Sequence, residues 1–150
     1  MNRLLLPLLV IAMAALGYSQ NVDRKMIVGK WSGGYEVDFT HSRSDAGKAD
    51  SDFMHKLAKS GNVSFKLTKD GVYVAEMTFE GQKNSAKGVW KLSPGNMLDV
   101  TDYFRNGQPV SKDKQIPFGF KIESVSQKEM RLRMVKMPMP TVVVLKRQSK

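Results

Sequence analysis

With 2 His, no Cys, 10 Met and 14 Asp plus Glu, the chain offers few groups for chemistry. His41 and His55 lie far apart and lack the close spacing that holds zinc. Without cysteine there is no thiol nucleophile and no disulfide. Neither a Gly-x-Ser-x-Gly elbow nor a glycine-rich phosphate loop occurs. Asp99 and Asp102 would face opposite sides of a strand, which makes them poor partners for acid and base work. Methionines gather late, at Met130, Met134, Met137 and Met139. Thioethers can hold Cu(I) in an oxidising compartment. Met130 and Met134 fall at core positions, where methionine commonly fills gaps, so only Met137 and Met139 carry that minor reading. Catalysis needs converging groups and none converge here, so a non-enzymatic protein without catalytic residues or cofactor is expected.

The groups that do recur in register are aromatic: Trp31, Tyr35, Phe65, Phe79, Trp90 and Phe120 each fall on the apolar parity of an alternating segment. Trp31, Tyr35, Val37 and Phe39 share one parity, and Gly33 and Gly34 suit a bend or bulge between them. Val63 to Leu67, Tyr73 to Phe79, Gly88 to Leu92, Leu98 to Phe104, Phe118 to Ile122 and Met130 to Met134 alternate likewise, and Thr141 to Leu145 is β-branched. In the fifth segment Leu98, Val100 and Phe104 are expected inside, with Asp102 intruding on their parity. Turn signals separate the segments at Lys69-Asp70-Gly71, Gly81 to Asn84, Pro94-Gly95-Asn96, Arg105-Asn106-Gly107 and Lys136 to Pro140.

One stretch departs from the pattern. His41 to Ser60 is polar and turn-prone at first, then helical over Ser51 to Lys59, with Ser51 or Asp52 as cap and Phe53, Met54, Leu57 and Ala58 on one face. The remaining short strands, joined by tight turns and with no helices to cover a sheet, predict an all-β, up-and-down antiparallel barrel of about eight strands. Residues 20–150 form one domain on this reading, and Asn21 to Met26 is a polar lead-in.

Residues 1–19 read as a cleavable signal peptide. Met1-Asn2-Arg3 is its positive start, and Leu4 to Leu16 is an apolar run too short for a membrane-spanning helix. Cleavage before Tyr18 or Gln20 fits the small residues that precede them. No later stretch is long and apolar enough to span a bilayer. An exported domain free of cysteine suits a bacterial envelope, so a secreted or periplasmic location, soluble after cleavage, is expected. The formal net charge is +10. Lys87, Lys91, Lys121, Arg131 and Arg133 alternate with core positions and, with Lys146, Arg147 and Lys150, make a basic outer patch for an anionic envelope surface or simply a solvated face. Export and the lack of basic-aromatic interleaving set nucleic acid aside. Asn62-Val63-Ser64 is a glycosylation sequon that matters only in a eukaryotic secretory host.

Gly29-Lys30-Trp31, at the start of the first strand, resembles the Gly-x-Trp signature of the lipocalins and the wider calycin group. The resemblance covers essentially the whole chain after the leader and is nearest to minimal bacterial lipocalin-like domains. It implies an eight-stranded barrel whose first-strand Trp plugs the closed end, with the His41 to Ser60 insertion over the open end. Thr101-Asp102-Tyr103 looks like the family's second motif, although it falls within a strand. A C-terminal helix and a match to the third, arginine-bearing motif are missing. Cytosolic fatty-acid carriers share Gly-x-Trp on ten strands, so the strand number stays open between eight and ten.

The leading expectation is a protein that binds a small hydrophobic or amphipathic molecule. Trp31, Tyr35, Phe65, Phe79, Trp90 and Phe120 would line the interior, Phe53 and Leu57 would form a lid, and Tyr35 or Tyr103 would orient a polar end. The rival is a filled barrel that contacts envelope polymers or a protein partner through its basic outer face. Eight-stranded barrels sit at the boundary between filled and hollow, so interior volume separates the two.

Overall fold

The computed structural model describes residues 21–149. The leader expected over residues 1–19 lies outside them, as does Lys150 of the basic patch. Nine strands are present: β1 (Gly29–Val37), β2 (Asn62–Leu67), β3 (Val72–Phe79), β4 (Gln82–Ser93), β5 (Met97–Arg105), β6 (Gln108–Pro109), β7 (Phe118–Val125), β8 (Glu129–Met134) and β9 (Thr141–Arg147). Every pairing is antiparallel. β4 pairs with both β3 and β5, and β9 returns to β1, so eight strands close into an up-and-down barrel. The two-residue β6 only extends β5 beyond the ring. Eight strands, not ten, form the barrel.

Alternation produces the barrel because each strand carries apolar side chains on one parity alone. Leu98 and Val100 of β5, Met130 and Leu132 of β8, and Val143 and Leu145 of β9 are all buried, with half-buried or exposed residues between them. Glu80-Gly81, Gly95-Asn96 and Asn106-Gly107 all adopt positive φ, which tight hairpins between right-twisted strands require. Gly81 to Asn84 is not a loop, however. The turn needs only Glu80 and Gly81, so β4 starts at Gln82 and places Asn84 and Ser85 in the sheet.

Gly33 acts differently from the expected bulge. The β1–β9 register runs unbroken through it, opposite Leu145. A Cβ there would sit 1.8 Å from the Val144 carbonyl oxygen, so glycine allows the two backbones to approach closely at the seam. The register shifts instead at Lys87/Gly88 on β4 and at Ile122/Ser124 on β7.

One end of the barrel is plugged. The lead-in is not merely polar. Asp23 caps a single helical turn, α1 (Arg24–Ile27), that drives Ile27 fully into the core. The Trp31 indole N–H donates to the Ile27 carbonyl at 2.8 Å, and that of Trp90 donates to Thr68 at 3.1 Å. Arg147 stacks over Trp31 at 4.1 Å and Arg24 over Trp90 at 4.0 Å. Burying side chains such as Ile27, Leu67, Leu98 and Leu145 contributes about 1.5–3 kcal/mol each relative to leaving them in water.

The insertion after β1 forms α2 (Lys48–Ser60), longer than the Ser51 to Lys59 expected. Gly47 is its N-cap, not Ser51 or Asp52, and Asp50 accepts from the Gly47 amide at 2.9 Å. Met54 and Leu57 are buried, whereas Phe53 is 44% exposed and touches Phe79 edge-on. Phe39, expected inside, lies past the end of β1 and stacks on His55 at 4.0 Å. No described helix is long and apolar enough to cross a membrane.

Candidate functional site

Toward the open end the packing changes character. At the closed end the wall carries Trp31, Leu67, Trp90, Leu98 and Leu145. Further along, β3 and β4 present Ala75 opposite Ala86, and Tyr73 opposite Gly88. These small residues cannot fill the bore, and a cavity of about 350 Å³ results. Its wall is mainly apolar. Phe65 and Phe120 meet edge-on at 5.9 Å, and Phe118 leans on Phe120 at 5.5 Å. Val63, Met77, Met134 and Val143 complete most of the surface.

Of the residues the sequence singled out, Tyr35, Phe65 and Phe120 come together on this cavity. Trp31 and Trp90 are buried in the plug below it. Phe79, Phe53 and Leu57 do not line it. Leu57 and Tyr35 both press on Gly61, where a Cβ would lie 2.8 Å from the Tyr35 ring. α2 thus packs close to Tyr35, and its Met54 and Leu57 join the same core. Tyr103 is exposed, so it cannot orient a ligand within the bore.

The register shift at Lys87/Gly88 explains the correction on β5. Gly88 faces Asp102 and Lys87 faces Phe104, leaving Tyr103 as the extra residue. Beyond the bulge the parity inverts. Phe104 turns outward and is exposed, while Arg105, paired with Ala86, reaches the cavity. Asp102 is buried, 6% exposed, on the inner face. The Arg105 Nε donates to Asp102 Oδ2 at 2.6 Å. Asp99, on the opposite parity, accepts from the Ser93 hydroxyl.

Polar groups divide between rim and interior. At the rim the Asn106 side-chain oxygen accepts from the Ser85 amide at 2.8 Å, and its NH2 donates to Asn84 at 3.1 Å. Deeper, the Tyr73 hydroxyl and Asp102 Oδ1 are buried without a hydrogen-bond partner among the described residues. Burial also pushes the Tyr35 phenol up to about 12. Ser85 and Ala86 escaped the sequence reading, and Asn84 and Arg105 entered it only as parts of turns. The signals that pointed to this end of the barrel were Asp102 on the apolar parity and the turns at Gly81 to Asn84 and Asn106-Gly107.

The alternative sites fare differently. Met139 is buried in the core and Met137 packs against it, so the exposed methionine pair expected for Cu(I) does not exist. Both line an outer groove that also carries Arg43, Arg133 and Lys136, whose charges oppose a cation. Among the described residues no group of three or more His, Cys, Asp or Glu converges on a metal position. His41 joins the exposed Asp38, whose carboxyl is held down at about 2 by the Thr40 hydroxyl and then by His41.

Three residues of the basic face pair with neighbouring carboxylates. Arg131 pairs with Glu36 at 2.6 Å, Arg133 with Glu123, and Lys146 with Glu129. Arg147 is not an outer-patch residue at all. It faces Trp31 across the β1–β9 seam and donates to the carbonyls of Val28 and Gln127 at 2.8 Å, and to that of Met26.

No family model matches the chain, and no curated protein does. Among solved structures it is similar to an uncharacterized protein from Bacteroides eggerthii, at 17% identity and a TM-score of 0.48, over 81% of this chain and 98% of that one. It is also similar to a lipocalin-like protein from Bacteroides uniformis, at 16% identity and a TM-score of 0.45, over 81% of this chain and 97% of that one.

Proposed function

We propose that this chain is an exported, non-enzymatic binding protein that holds a small hydrophobic or amphipathic molecule inside its barrel. The observation that carries the reading is the cavity of about 350 Å³ with its mainly apolar wall. That volume lies in the range of small-molecule sites and corresponds to about a dozen water volumes. Driving force comes from removing apolar ligand surface from water, about 25 cal/mol per Å². The filled-barrel rival has less support, because the interior holds this cavity.

The neutral fluorophore N-phenyl-1-naphthylamine tests the binding reading directly. Saturable fluorescence enhancement with one site per chain is expected, reversed by added medium-chain alcohols. Absence of enhancement at micromolar protein would remove it. Export is tested separately by intact-mass measurement of the protein recovered from a bacterial host. Loss of residues 1–17 or 1–19 supports it, and retention of Met1 to Gly17 counts against it.

A further inference from the structure

Two buried polar atoms lack a partner among the described residues, and the residues that carry them sit on one line across the cavity wall. Tyr73 on β3 faces Gly88 on β4, and Gly88 faces Asp102 on β5. All three are buried. The glycine between the two polar residues has no side chain to fill the gap. The Tyr73 hydroxyl and Asp102 Oδ1 are the buried side-chain polar atoms without partners among the described residues. At the rim Asn106 donates to the Asn84 side-chain oxygen and accepts from the Ser85 amide, so the unpartnered buried atoms belong to the deeper site. Buried polar atoms are nearly always hydrogen-bonded, and leaving a carboxylate oxygen bare is costly.

Charge narrows what can meet these atoms. Arg105 already donates to Asp102 Oδ2 at 2.6 Å, so the pair is neutral as a unit and an ammonium head would meet a nearby guanidinium. A carboxylate head would set a second acceptor against Oδ1. Its alternative, the exposed part of Arg105, lies toward water and would leave both inner atoms bare. A hydroxyl group supplies one donor and accepts as well, which matches a free acceptor beside a free phenol.

Resting on the reading of the cavity as a binding site, we infer that its ligand class is a neutral apolar alcohol or phenol, whose O–H donates to Asp102 Oδ1 and whose oxygen accepts from the Tyr73 hydroxyl. The cavity therefore selects hydroxylated molecules over fatty carboxylates of the same chain length.

Displacement of N-phenyl-1-naphthylamine by 1-decanol, its methyl ether, decanoate and decylamine at neutral pH tests this. Decanol should bind about tenfold more tightly than the other three, the effect of one hydrogen bond to a charged acceptor. Asp102→Leu should cost decanol about tenfold relative to the ether, so that the two then bind alike. Tyr73→Phe, which deletes a single oxygen, should weaken decanol several-fold and covers the case in which Asp102→Leu does not fold. Equal affinity of alcohol and ether, or tighter binding of decanoate or decylamine, overturns the inference while leaving the cavity reading intact. Failure of the fluorophore and all four competitors removes both.

Discussion

Replacing Ala75 with leucine asks the barrel whether it is hollow. Ala75 lines the cavity and faces Ala86 across the β3–β4 ladder. The change adds three carbons. If they enter vacant space, burial contributes about 2.4 kcal/mol at roughly 0.8 kcal/mol per carbon. Ordering the leucine side chain costs about 0.5–1 kcal/mol, which leaves a net gain of about 1.5 kcal/mol. In a packed interior the same carbons would cost about 1–3 kcal/mol through strain. The sign of the stability change therefore reports the void. At about 4 °C per kcal/mol for a domain of this size, the melting temperature should rise by about 6 °C. Urea titration with an unchanged m-value checks that the gain belongs to the folded state. Taking about 30 Å³ per added heavy atom, the leucine removes about 90 Å³ of the cavity, so fluorophore affinity should fall at least about tenfold. Ala86→Leu should behave alike, and the two together should be less than additive because they meet on adjacent strands. A lower melting temperature with fluorophore binding intact would refute the hollow barrel.

Arg147→Met should cost about 2–3 kcal/mol in urea unfolding, because it removes the stacking on Trp31 and leaves the Val28 carbonyl without its guanidinium donor. Arg147→Lys should recover less than half, since an ammonium cannot fork to the carbonyls of Val28 and Gln127 together. For Tyr35, burial raises the phenol from 10.0 to about 12, so the folded state holds the proton more tightly than the unfolded one. Its contribution is fully present below pH 10 and is lost as pH rises toward 12, by at most about 3 kcal/mol. Unfolding free energies of the protein and Tyr35→Phe, measured from pH 9 to the alkaline limit of the fold, should show that decline only with tyrosine present.

Alternation was legible because the barrel has one dry side. Each run of β1 to β9 with period-two apolar residues became a strand, and eight closed the ring. The fifth segment carried a visible conflict, with Asp102 on the parity of Leu98 and Val100. The conflict was the site: Asp102 does face inward, and the bulge after it sends Phe104 out and Arg105 in. A bulge is a property of two strands together, so a single strand's pattern cannot reveal which residue is extra. Phe53 was misplaced for a related reason. Its helical face with Leu57 is real in spacing, but the angle at which α2 docks buries Met54 and Leu57 instead. Tyr35, Phe65 and Phe120 were found because large inward aromatics announce themselves. Ala75, Ala86 and Gly88 were not, because a cavity is made by what is small, and small residues give a weak periodic signal.

The seam between β1 and β9 ties folding to synthesis. Trp31 pairs with Arg147, and the Gln148 amide donates to the Lys30 carbonyl at 2.8 Å, so the ring closes between residues more than a hundred positions apart. A nascent chain stopped short of Thr141, before β9, can build a curved meander but cannot join its edges. Until then β1 and β8 each present an unpaired ladder, the surface on which strands of separate molecules associate. Closure across such a sequence distance places folding among the slower, non-local topologies. Both edges are covered only when β9 arrives, so the last strand to be made is the one that closes the ring.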